Sequence, residues 1–105
     1  MEMQVKWSKK SRYKLESAVE QCRKTFGDRV ALHFYEQVLY NNNRLATHPC
    51  IGKAEPLLAH KSLPYRSLVV HEYYKIIYYI TGEVIRVANF WDTRCDPVSL
   101  ADNIR

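Results

Sequence analysis

Residues 65 to 94, YRSLVVHEYYKIIYYITGEVIRVANFWDTR, leave the backbone few choices. Tyr65 to His71, Tyr73 to Thr81 and Glu83 to Trp91 are runs rich in Val, Ile and Tyr. Their branched or flat side chains suit a pleated, half-buried surface. Almost nothing separates the runs. Glu72 lies between the first two, and Thr81-Gly82 supplies the positive φ of a tight hairpin before the third. A three-stranded antiparallel meander is predicted. Alternation sets Leu68 and Val70 against Ser67, Val69 and His71, and Ile76, Tyr78 and Ile80 against Lys75, Ile77 and Tyr79. Both faces are apolar, so the sheet either sits between two layers or leaves an aromatic surface that another molecule covers.

Upstream the period changes. Met3, Val5 and Trp7 alternate with polar residues as in a short strand, and Ser8 is placed to cap a helix from Lys9 to about Thr25. Leu15, Ala18, Val19, Cys22 and Phe26 form the apolar stripe of that helix. Gly27 suits a helix end and Asp28 the next N-cap. Ala31, Phe34, Tyr35, Val38, Asn42 and Leu45 then continue at helical spacing. Pro49, Gly52, Pro56 and Pro64 punctuate an irregular connector from Thr47 to Pro64 that carries Lys53, His60 and Lys61. A final turn through Leu100, Ala101 and Ile104 is expected, capped by Asp96 or Ser99. The order is β-α-α-β-β-β, an α+β fold with a helical hairpin packed on a mainly antiparallel sheet.

A chain of 105 residues makes one domain, 1–105, with a single core. Its longest apolar runs fall far short of the roughly 20 residues that span a bilayer. Three widely spaced cysteines, Cys22, Cys50 and Cys95, with no C-x-x-C pair, suit a reducing compartment, and a cytoplasmic location is expected. His48-Pro-Cys50 has no second ligand pair to complete a metal site, so neither a metal nor another cofactor is expected. Sixteen Lys and Arg against eleven Asp and Glu give a net charge of +5. The excess lies before the meander, where Lys6, Lys9, Lys10, Arg12 and Lys14 make either a solvated face or a surface for an anionic partner.

The ordered set Trp7-Ser8, Pro49-x-x-Gly52-x-x-x-Pro56-x-Leu58, Tyr65-Arg66-Ser-Leu-Val, Tyr74-Lys75-Ile-Ile-Tyr-Tyr-Ile and Phe90-Trp91-Asp92-Thr93-Arg94-x-Asp96-Pro97 resembles the RelE/ParE superfamily of bacterial toxins over nearly the whole chain. The resemblance implies the toxin of a type II toxin–antitoxin pair, often described as a plasmid stabilization protein, that inhibits growth until a cognate antitoxin neutralises it. It implies one of two targets: messenger RNA cut in the ribosomal A site, or DNA gyrase. A non-toxic interaction or nucleic-acid-binding module of the same fold is the alternative.

Cutting RNA without a metal requires a proton acceptor, cations around the phosphorane and an acid for the leaving oxygen. Arg66, Lys75 and Arg94, with His71 as the strand residue that titrates near neutrality, are the candidates for catalysis. Lys53, Lys61, Arg86 and Trp91 are candidates for target or nucleic-acid contact. The set is incomplete by the superfamily's pattern: no Tyr, His or Lys follows Arg94, and Val70 stands where its nucleases carry Arg. Each candidate also has a structural role open to it. Asp92 and Asp96 flank Arg94, Arg66 and Lys75 suit a solvated strand face, His71 a strand-end hydrogen bond, and Trp91 the core. The sheet face away from the helices is expected to remain open for the antitoxin or the target.

Overall fold

The computed structural model describes residues 2–95, 99, 100 and 104. Its elements are β1 (Gln4–Trp7), α1 (Lys9–Phe26), α2 (Asp28–Thr47), β2 (Lys53–Ala54), a 3₁₀ turn at Pro56–Leu58, β3 (Arg66–His71), β4 (Tyr74–Thr81) and β5 (Val84–Asp92). The predicted order holds, with the two-residue β2 and the 3₁₀ turn added inside the connector. The sheet runs β1-β5-β4-β3-β2, parallel between β1 and β5 and antiparallel elsewhere. Among the described residues no helix is long and apolar enough to cross a membrane.

The helix ends follow local chemistry. Ser8 accepts the Ser11 amide at 3.1 Å and caps α1. Gly27, at φ 92°, both closes α1 and opens α2, so Asp28 is the first residue of α2 and not its cap. Ala31, Phe34, Val38 and Leu45 turn inward from α2 onto Ile76, Tyr78, Ile85, Val87 and Phe90. Burying each large side chain contributes about 1.5–3 kcal/mol relative to exposure. The predicted stripes shift in detail. Asn41 is buried, Asn42 sits at the margin and receives the Trp7 indole N–H at 2.8 Å, and Tyr35 faces solvent. Phe26, predicted to be in the core, is 68% exposed at the last residue of α1, where it borders a groove instead of packing on the sheet.

The far face of the sheet is the principal departure from expectation. It is not left open across its width. Leu58 from the 3₁₀ turn and Leu100 and Ile104 from the C-terminal segment pack on Tyr65, Ile77 and Trp91 in a second cluster. The cause is visible in β4, where Ile76, Ile77 and Tyr78 are successive apolar residues that all require cover. Ser99 and Leu100 are helical, whereas Asp96, Pro97 and Ala101 of the expected final turn lie outside the described residues.

Two irregularities position side chains. A register shift between Val69 and His71 breaks the alternation of β3, so His71 turns to the helix side and meets Phe34 edge-on at 5.0 Å. The Tyr78 hydroxyl donates to the Pro49 carbonyl at 2.8 Å and accepts the Gly52 amide at 2.9 Å, fastening the connector to the sheet. A β-carbon on Gly52 would lie 2.6 Å from that hydroxyl oxygen and 2.7 Å from the Ser67 carbonyl. Gly52→Ala is therefore expected to destabilise by about 2 kcal/mol, read as a lower urea midpoint with an unchanged slope. A midpoint equal to wild type would contradict this packing.

Candidate functional site

The eight residues singled out from the sequence occupy separate places. Lys75 extends from β4 toward the connector and pairs with Glu55, whose side chain is 2% exposed while that of Lys75 is 15% exposed. Glu55 stands just before Pro56 and also accepts the Leu57 amide at 3.1 Å, so one carboxylate caps the 3₁₀ turn and neutralises the lysine. Burial alone would push the Glu55 carboxyl up. The Lys75 ammonium and the Leu57 amide more than offset it and hold the group below the usual carboxylate range. Arg66 donates to the Gly52 carbonyl at 2.7 Å, beside the Tyr78 clamp. Lys75 and Arg66 are thus part of what holds the connector down.

On the helix side of the sheet, Arg94 forms a fork with Asp92, donating Nε and Nη2 at 3.0 and 2.8 Å while its backbone amide reaches the same carboxylate at 2.9 Å. These contacts hold the Asp92 carboxyl below its ordinary value and push the guanidinium upward. The Arg94 guanidinium also stacks 4.7 Å from the Tyr73 ring. Arg94 and His71 line one groove of about 520 Å³ between the end of α1, the start of α2 and the β3–β4 turn. Its walls include Cys22, Phe34 and Tyr74, and Phe26, Val30 and Tyr73 stand exposed around it. This concave, mostly apolar surface escaped the sequence reading because helical periodicity assigned Phe26 to the core.

Lys53 and Lys61 remain on the connector. Lys53 is exposed on β2 opposite Ser67, and Lys61 reaches the Ile104 carbonyl at 3.5 Å. Trp91 is 5% exposed and packs in the far-face cluster with the Lys14 ammonium 4.9 Å from its ring, so its large area goes to the core. Arg86 is exposed on β5 beside Lys6 of β1. The four catalytic candidates consequently do not converge. Lys75 lies on the far face with its charge balanced, Arg66 is tied to a backbone carbonyl, and His71 and Arg94 share the groove on the helix side. A phosphorane needs its cations and its acid within hydrogen-bond reach of one point.

No known family's sequence profile matches the chain, and no curated protein matches it. Among solved structures, a chain of the chromosomal ParDE TA system from P. aeruginosa superposes with a TM-score of 0.69 at 17% identity, over 86% of this chain and 95% of that one. The architecture is therefore the one that the resemblance to RelE/ParE toxins implied: two helices on a five-stranded, mostly antiparallel sheet.

The buried pair gives a direct test of its structural role. Glu55→Gln leaves the Lys75 charge uncompensated and is expected to cost about 3 kcal/mol, a fall in Tm of roughly 15 °C. Adding Lys75→Met should recover most of the loss. Because the Glu55 carboxyl is depressed in the folded state, its stabilisation is complete above the unfolded value of about 4.3 and is lost as pH falls below it. The wild type should lose stability over that acid range more steeply than the double variant. Parallel pH curves for the two proteins would contradict this assignment.

Proposed function

We propose that this chain is the toxin of a type II toxin–antitoxin pair, acting in the cytoplasm by occupying a protein target in the manner of ParE-like members on DNA gyrase. Cutting messenger RNA is the route disfavoured. The observation that carries this reading is the dispersal of Arg66, Lys75, His71 and Arg94 onto two faces of the sheet, on a fold shared with a chain of a ParDE TA system. Binding a target demands a surface of matched shape, whereas RNA cleavage demands convergent charges that these four side chains do not supply.

The antitoxin, on the same reading, lays an apolar segment into the groove between α1, α2 and the β3–β4 turn. A segment disordered alone would order there, inserting side chains between Phe26, Val30 and Tyr73. Removing these exposed apolar residues from water supplies the affinity. The Arg94 fork on Asp92 fixes the mouth of the groove in advance, which lowers the ordering cost of binding.

Induction of the chain alone is expected to arrest growth, and co-expression of a partner encoded beside it to restore growth. The purified chain should inhibit gyrase supercoiling, and primer extension on cellular mRNA should show no new cuts. New A-site cuts in mRNA would instead establish the ribonuclease route. Growth indifferent to induction would contradict the toxin reading and favour a non-toxic interaction module of the same fold. Phe26→Asp should weaken antitoxin binding by about 2 kcal/mol in a titration while leaving Tm unchanged. Undiminished binding by that variant would remove the groove as the docking site.

A further inference from the structure

On the face of the sheet away from the helices, the strip beside the Leu58, Leu100 and Ile104 cluster carries a row of two exposed cations, Lys6 and Arg86, that ends on Tyr79 at the margin of that cluster. Lys6 of β1 pairs in register with Arg86 of β5, and Arg86 pairs in register with Tyr79 of β4. Lys6 and Arg86 are both exposed, and neither makes an ion pair or hydrogen bond among the described residues. Adjacent strands lie about 4.8 Å apart, and like charges directly opposite one another destabilise a sheet. The row thus carries a cost to folding that a single acidic residue would have removed.

These residues line a groove of about 310 Å³ with Lys10 and Ser8 from the start of α1, and among the described residues no acidic side chain lines it. The first turn of α1 likewise contains no acid. Tyr79 is half-buried, held edge-on by Tyr65 at 5.5 Å, and with Trp7 is one of two aromatic residues lining the groove. Cations that hold phosphates beside a ring that accepts a base make the arrangement that binds single strands without strong sequence preference. An acidic polypeptide would satisfy the cations and leave the ring without a partner.

We propose that the Lys6–Arg86–Tyr79 row binds single-stranded nucleic acid, with Lys6 and Arg86 on successive phosphates and the Tyr79 ring against a base. Nucleic acid bound here meets the surface opposite the antitoxin groove, so this inference does not rest on the toxin reading. It involves no chemistry on the strand, only its retention.

The test is fluorescence anisotropy of a labelled oligouridine of roughly 12 nucleotides, a length within the site sizes of such surfaces, with an oligoglutamate peptide as the competing anion. Binding is expected at about 50 mM salt, with each lost phosphate contact lowering the salt slope by about 0.7. Lys6→Glu sets a carboxylate opposite Arg86, so it should weaken oligouridine binding by roughly 10-fold or more while Tm stays at or above wild type. Arg86→Gln should weaken it similarly, and Tyr79→Leu by roughly 5-fold or more through lost stacking. No binding at low salt, equal or tighter binding of oligoglutamate, or full affinity in folded Lys6→Glu and Arg86→Gln proteins would each overturn the proposal. None of these results would bear on antitoxin docking, which Phe26→Asp reports separately.

Discussion

Ile76, Ile77 and Tyr78 sit side by side in the central strand and are wholly excluded from water. Because successive residues of a strand point to opposite faces, this excludes a simple two-layer solution with one face of β4 bare. The helices cover Ile76 and Tyr78. Leu58, Leu100 and Ile104 approach Ile77 from the other side. The connector between α2 and β3 must therefore return under the sheet, and its hydrogen bonds explain how an irregular segment holds its path: Tyr78 and Arg66 fix Pro49 and Gly52 where it starts, and Glu55 caps the 3₁₀ turn while balancing Lys75 where it passes to the far face. Two of the polar groups most suggestive of chemistry in the sequence, Arg66 and Lys75, are fastenings of this connector.

The division of roles follows from that arrangement. Side chains drawn into the lower layer are no longer available to a target, and a buried cation balanced by a carboxylate is a poor ligand for phosphate. Among the described residues two accessible places stand out for the partners proposed. One is the apolar groove at the end of α1, where Phe26 is exposed. The other is the outer strip of the far face, where Lys6 and Arg86 stand with no acid opposite them among the described residues. Their chemistries differ, apolar with a preset Arg–Asp fork in one case and cationic with an aromatic wall in the other. The two proposed partners would therefore seat without obstructing one another.

Much of this was legible from residue pattern. The meander announced itself through Val, Ile and Tyr runs with Gly82 at a hairpin, and the helix pair through its periodic stripes and the Ser8 and Gly27 signals. The parallel pairing of β1 with β5 was not legible, since pairing between distant segments leaves no local mark. Nor was the position of His71, which depends on a bulge at Val69 that no residue type required. The Asp92 fork on Arg94 was foreseen because the partners are two residues apart, whereas the Glu55–Lys75 pair spans twenty residues and becomes visible only in three dimensions. Phe26 was misplaced for a simple reason: periodicity reports which face a residue occupies, not whether a neighbouring element covers it.

Hydrogen exchange of the chain with and without the proposed antitoxin tests the central claim most directly, because it maps where a partner seats without presuming an activity. Protection concentrated at the end of α1, the start of α2 and the β3–β4 turn is the result that this account predicts. Protection confined to the connector and the far face, with the amides around Phe26, Val30 and Tyr73 unchanged, would contradict it.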